Sequence, residues 1–203
     1  IVGVSLFMGG ETTPSRAVVQ SAGRSYPVTI DYTLPDNQPL PGQIARLVQQ
    51  ALQQHEGNIL VFLPGQGEIN QCAQLLEQQG LAQNVQLHRL LGSLTLAQQQ
   101  AAIAPPPQGS RKVVLSTNLA ETSLTIDGIS VVIDSGLCRQ SRFNPRHGIS
   151  MLETAAISQA AAVQRAGRAG RLSAGVCYRL DTAEKWQRRA RFTPAEIEIA
   201  DLT

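Results

Sequence analysis

Cysteine is scarce: Cys72, Cys138 and Cys177 are odd in number, widely spaced and without metal-ligating partners at short range. Neither a disulfide framework nor a zinc site is indicated, and a reducing cytoplasm is the expected setting. No apolar run approaches the roughly 20 residues that a membrane helix needs. The apolar opening from Ile1 to Met8 has neither a basic flank nor a cleavage pattern. The bias of a disordered chain is also missing, because 42% hydrophobic and 16% charged residues over 203 positions suffice to bury one core. The chain starts at Ile1 rather than Met and stops at Asp201, Leu202 and Thr203 without a tail-like composition, so a piece of a longer polypeptide is expected.

Lysine is nearly absent. Fifteen of the seventeen basic residues are arginine, whose flat fork can grip a phosphate with two parallel hydrogen bonds. The net charge is only +2, yet from Gly136 to Phe192 ten arginines and Lys185 stand against three acids, Glu153, Asp181 and Glu184. Such an excess is the footprint of a phosphate-bearing partner, or else a solvated basic surface.

Periodicity orders the chain. Tyr26 to Tyr32 alternates as a strand, 35–41 is a linker, and Gln43 to His55 carries Ile44, Leu47, Val48 and Leu52 at helical spacing. Asn58 to Leu63 is a short apolar run of buried-strand type, closed by Pro64 and Gly65 and followed by a helical stretch from Glu68 to Gln79. The unit recurs: strand 85–90 with helix 94–103, strand 112–117 with a polar segment, strand 131–134 with helix 158–168, strand 176–180 with helix 183–191. This alternation predicts an α/β fold, a parallel sheet flanked by helices. Ligands of such sheets sit beyond the carboxyl ends of the strands, so chemistry is expected after Phe62, Leu115 and Ile133. Between Leu137 and Leu152, Asn144-Pro145 is a turn signal, and a β-hairpin bearing Arg139, Arg142 and Arg146 is predicted. It is either a nucleic-acid contact or an edge hairpin blunted by charge, and Phe143 is placed to stack on a base.

The strongest motif is Q-R-A-G-R-A-G-R at 164–171, in an Ala-rich helical segment. At about 100° per residue, Gln164, Arg168 and Arg171 share one helix face while Arg165 points elsewhere. Two arginines and an amide converging there suit the charge on a transferring γ-phosphoryl group and the orientation of an attacking water. Gly167 and Gly170, at about 1 kcal/mol each in a helix interior, suggest close approach by another backbone or a ligand. The second motif, S-T-N-L-A-E-T-S-L-T-I-D-G-I at 116–129, has hydroxyl, amide or carboxylate side chains at eight of fourteen positions. Thr117 and Asn118 offer donors to a nucleic-acid phosphate or 2′-OH, and Asp127 an acceptor for ribose hydroxyls. Ser116 or Thr117 with Glu121 also resembles a helix N-terminus.

F-L-P-G at 62–65, the 116–129 segment, V-V-I-D-S-G at 131–136 and Q-R-A-G-R-A-G-R resemble, in order and spacing, motifs IV, V, the following V-associated motif and VI of DEAH-box RNA helicases. The sequence resembles the bacterial HrpB type of this family, including G-R-S-Y-P-V at 23–28 and P-A-E-I-E-I-A-D-L from Pro194. The resemblance implies the second, RecA-like lobe of the helicase core over residues 23–192. Residues 1–22 would be a lead-in or interlobe linker, and 193–203 the start of a linker to a further domain.

The resemblance also implies ATP with Mg2+, single-stranded RNA and the first RecA-like lobe as partners, with the isolated domain a monomer. Gln164 would position the hydrolytic water, Arg168 and Arg171 would contact the γ-phosphate, and Thr125 and Asp127 would face the nucleotide. Thr117, Asn118, Ser123, Gly65 and the hairpin arginines 139, 142 and 146 would lie along the RNA. Ile103 stands where family members place an aromatic residue against adenine. No G-x-x-x-x-G-K-[ST] occurs, so the phosphate loop and the metal ligands would come from the first lobe and this piece alone would be inactive. The rival readings are a nucleic-acid-binding module without motor activity and a lobe of a DNA helicase. His55, His88 and His147 form no site pattern, and Trp186 is expected to pack a late helix.

Overall fold

A computed structural model describes residues 26–122, 124–144 and 149–193. Residues 1–25, Ser123, residues 145–148 with Arg146 and His147, the Phe143 side chain and the stretch from Pro194 lie outside the described residues.

Six parallel strands make the sheet: β1 (Val28–Thr33), β2 (Asn58–Phe62), β3 (Val85–Leu90), β4 (Arg111–Ser116), β5 (Ile129–Asp134) and β8 (Gly175–Leu180). Their order is β1-β8-β5-β2-β4-β3, with the all-buried β2 near the centre. One face is covered by α1 (Leu40–Gln54) and α2 (Gln66–Gln79), whose Ile44, Leu47, Val48, Ile69, Cys72 and Leu76 pack on Ile59, Val61, Val113, Leu115, Val131 and Ile133. The alternate residues of the same strands, Leu60, Phe62, Val114 and Val132, meet Ala102 of α3 (Leu96–Ile103), Ala120 of α4 (Leu119–Thr122) and Ala166 of α5 (Gln159–Ala166). Two covered faces are why these strands read as unbroken apolar runs rather than as alternating ones. The glutamines at 50, 53 and 54 lie on the exposed face of α1.

Between β5 and α5 the chain forms β6 (Leu137–Asn144) and β7 (Ile149–Ala156), a separate antiparallel pair, so the predicted hairpin is present. The last helix, α6 (Ala183–Gln187), buries Trp186. Local chemistry starts three helices: Thr95 and Gln98 form a reciprocal capping box on α3, and Ser158 and Thr182 accept from Ala161 N at 3.2 Å and Lys185 N at 3.3 Å.

The expected shared helical face of the Q-R-A-G-R-A-G-R motif does not form. The helix carrying Q-R-A-G-R-A-G-R ends at Ala166, so Gln164, Arg168 and Arg171 are not three points on one helical face. Arg168 N and Ala169 N bond to the carbonyls three residues back, of Arg165 at 3.1 Å and Ala166 at 3.0 Å, which tightens the last turn and closes the helix. Gly167 and Gly170 are therefore turn residues rather than costly helix-interior ones. The close approach does occur at Gly170: a Cβ there would lie 2.5 Å from the carbonyl oxygen of Tyr26, whose N–H bonds to Gly170 O at 2.8 Å.

Candidate functional site

Because all strands run the same way, crossover segments return the chain from the carboxyl edge of the sheet to its amino edge. The sequence reading placed the chemistry at the carboxyl edge; the structure divides the candidate residues between both. Gly65 follows β2, Thr117 and Asn118 follow β4, and the hairpin follows β5, all at carboxyl ends. Ile103, Thr125, Asp127, Arg168 and Arg171 precede strands and lie toward the amino edge. The 117–128 segment thus runs from one edge to the other, touching both groups.

At the amino edge, Arg171 is exposed and its Nη1 donates to Thr125 Oγ1 at 3.0 Å. Arg168 is 7% exposed, donating through Nη1 to Leu124 O at 2.8 Å and through Nη2 to Glu121 O. Burial lowers its pKa, the neighbouring Arg171 charge adds to that, and Glu121 opposes both. Among the described residues neither arginine makes an ion pair with a carboxylate. Gln164 and Asp127 are exposed, and among the described residues their side chains form no hydrogen bond with either arginine. Ile103, the last residue of α3, is half-buried against the core.

Residues the sequence reading passed over organise this edge. Asn58, buried at the start of β2, donates to Asp127 O at 3.0 Å and accepts from Lys112 N at 3.0 Å, tying together the starts of three strands. The buried Lys112 ammonium donates to the carbonyls of Ala102, at 2.8 Å, and Ala104, closing the end of α3 on either side of Ile103. Burial pushes the Lys112 pKa down, against the pull of Asp127. The available signal was a polar residue heading each apolar run, N-I-L-V-F-L and K-V-V-L.

At the carboxyl edge, Thr117 Oγ1 accepts from Leu119 N at 3.5 Å and Asn118 is exposed. Glu121 is not the acid of a capping box; its carboxylate accepts from Arg165 Nε at 3.0 Å. Arg139 pairs with Glu68 of α2 at 3.1 Å, and a Cβ on Gly65 would lie 3.1 Å from Arg139 Nε, so the hairpin lies against the loop after β2. Arg142 is exposed, 3.7 Å from Glu153 across the hairpin.

Arg165 does point elsewhere, as its helical position predicts: into the protein. It is fully buried, donates to Asp134 Oδ1 at 2.9 Å and Leu137 O at 3.2 Å as well as to Glu121, and lies 4.7 Å from the centroid of the Phe62 ring. Burial works against the cation, but the carboxylates of Asp134 and Glu121 more than offset it and its pKa is raised. One side chain therefore joins the ends of β2 and β5, the root of the hairpin, α4 and α5. No group of three or more His, Cys, Asp or Glu side chains converges on a metal position among the described residues.

The helicase conserved C-terminal domain family matches residues 42–173, from within α1 to the bend after α5. The chain belongs to that family. This helicase C-terminal domain is 45% identical over 191 residues to the ATP-dependent RNA helicase HrpB of Escherichia coli (strain K12), a match covering 94% of the chain and 24% of that protein. It is 42% identical over 188 residues to the pre-mRNA-splicing factor ATP-dependent RNA helicase prp22 of Schizosaccharomyces pombe, covering 89% of the chain and 16% of that relative. The crystal structure of E. coli DExH-box NTPase HrpB matches with a TM-score of 0.84 at 45% identity, over 89% of this chain and 22% of that one. The helicase C-terminal domain thus spans a quarter or less of these relatives, and the family resemblance and the RecA-like α/β fold expected from its motifs are both borne out.

Proposed function

We propose that residues 23–192 are the second motor lobe of an ATP-dependent RNA helicase, acting in the cytoplasm, where the free thiols of Cys72, Cys138 and Cys177 stay reduced. The observation that carries this reading is that Arg168 and Arg171, neither with a carboxylate partner among the described residues, both donate to the segment around Glu121, Leu124 and Thr125 that leads back to the opposite edge. These residues fit a triphosphate. Arg171 and Arg168 would meet its γ-phosphate, Gln164 would hold the attacking water, Thr125 and Asp127 would face the ribose side, and Ile103 would lie against the base. ATP supplies the phosphoryl group and the driving force; Mg2+ and the phosphate loop come from the first lobe. At the other edge Thr117, Asn118, Ser123 and Gly65, with Arg139, Arg142 and Arg146 of the hairpin, would follow a single-stranded RNA backbone, so sequence preference is slight.

The test is ATP hydrolysis by this domain alone and tethered to the first lobe, each with and without single-stranded RNA. The expected result is silence alone and RNA-stimulated turnover when tethered. Turnover by the domain alone overturns the reading, and equal stimulation by single-stranded DNA turns it into a DNA motor.

A further inference from the structure

The segment after β8, outside the stretch matched by the family, reaches back to the foot of the hairpin. Arg189 Nη1 donates to Gly136 O and, at 3.4 Å, to Ile157 O. Gly136 immediately precedes β6 and Ile157 immediately follows β7, and the two are bonded to each other, Ile157 N to Gly136 O at 3.0 Å. One guanidinium therefore holds both strands where they leave the sheet.

Arg189 is itself held. Its guanidinium carbon lies 3.8 Å from the centroid of the Trp186 ring, a cation–π distance, and Trp186 is 3% exposed in a small cluster with Ile157 and Ala162 that Cys138 of β6 adjoins. The Arg189 backbone carbonyl accepts from Gln159 Nε2 at 2.9 Å, as does that of Gln187, which fixes this segment to the start of α5. Gly136 has a φ of 72°, and a Cβ there would lie 2.5 Å from Arg189 Nη2 and 2.9 Å from Trp186 Cζ2. The glycine is required by backbone conformation and by the two side chains closing over it.

We propose that Arg189, seated on Trp186, is a positioning residue for the hairpin. It fixes the direction in which β6 and β7 leave the lobe, and so sets where Arg139 and Arg142 stand. The role in RNA engagement rests on the proposal above that this hairpin contacts RNA. Arg189 touches neither nucleotide nor RNA in this assignment, so its loss acts on affinity for RNA and not on the chemical step.

The experiment uses the full polypeptide containing this domain. Arg189→Met keeps the side-chain stem and removes the donors; Arg189→Lys restores a cation and donors. Hydrogen exchange over 137–144 and 149–156 is measured beside RNA-stimulated ATP hydrolysis as a function of single-stranded RNA concentration. Arg189→Met is expected to speed exchange in both hairpin strands and to raise the half-saturating RNA concentration about tenfold, the scale of one lost charge-assisted hydrogen bond. Turnover at saturating RNA stays at the parent level, and Arg189→Lys recovers part of the affinity. Unchanged hairpin exchange overturns the proposal, as does a fall in saturating turnover that tracks a fall in melting temperature. Arg142→Glu is the control for the underlying reading. If it leaves half-saturation unchanged, the hairpin is not an RNA contact and the RNA role falls, whereas faster exchange in Arg189→Met with an Arg142-dependent affinity supports both.

Discussion

Arg165 and Arg171 belong to one eight-residue motif and meet opposite environments. Arg165 has no exposed surface and two carboxylates on it; Arg171 is exposed with one hydroxyl partner. Removing a partner from a buried ionic group leaves an uncompensated charge, which typically costs about 3–5 kcal/mol. Arg165→Met is therefore expected to lower the unfolding free energy by about that much, read by denaturant titration, because Asp134 remains buried and unpaired. Arg171→Met should leave the melting temperature of the full polypeptide near the parent value while lowering ATP turnover on the order of 10³ to 10⁵, the range of an arginine finger. A mild effect on turnover removes that role. Arg168 is a poorer test, because it also satisfies the carbonyls of Glu121 and Leu124, so its loss mixes stability with chemistry. The sequence separated Arg165 from Arg168 and Arg171 by helical position, but not what each guanidinium meets, which depends on partners brought in from α4, β5 and the 121–125 segment.

At the scale of elements, the hairpin was legible because Asn-Pro interrupts a run rich in strand formers and charge. Its attachment was not. Arg139 reaches Glu68 and Arg189 reaches Gly136, pairings between residues far apart in sequence. Arg142, exposed and loosely paired with Glu153 at 3.7 Å, is the described hairpin arginine most available to a phosphate. Arg142→Gln is expected to weaken single-stranded RNA binding uniformly across sequences and to reduce the slope of log affinity against log salt by roughly 0.7, the share of one phosphate contact. An unchanged slope assigns the hairpin charge to solvent instead. The A-E-T-S-L-T-I-D-G segment illustrates the same limit: its polarity marked it as functional, yet only the crossover from β4 to β5 makes it touch both edges of the sheet.

For the whole molecule, stability at alkaline pH follows from thiols sealed in the core. Cys72 is fully buried between α2 and the sheet, and burial pushes its pKa from 9.0 up to about 12; burial also raises that of Cys177. A raised pKa stabilises the folded state fully below the unfolded value. That contribution is lost as the unfolded thiol ionises, from pH 9.0 toward about 12. Cys72→Ala is expected to cost about 1 kcal/mol near neutral pH through the small cavity it leaves. Its stability should then fall less steeply than the parent's midway through that window, measured by denaturant unfolding at both pH values. Parallel pH dependence in the two proteins excludes Cys72 as the group responsible.

By itself the sequence determined the alternation of strands and helices, the buried character of β2, β4 and β5, the existence of the hairpin and the family motifs, because periodicity, capping and turn chemistry are local. Only the tertiary structure decided that the candidate residues divide between two edges and that Arg165 is the buried tie among five segments. It alone closed α5 before Arg168 and set Arg189 over the foot of the hairpin. These depend on burial and on contacts between residues distant along the chain, where a charge is stable only if the fold brings its partner to it.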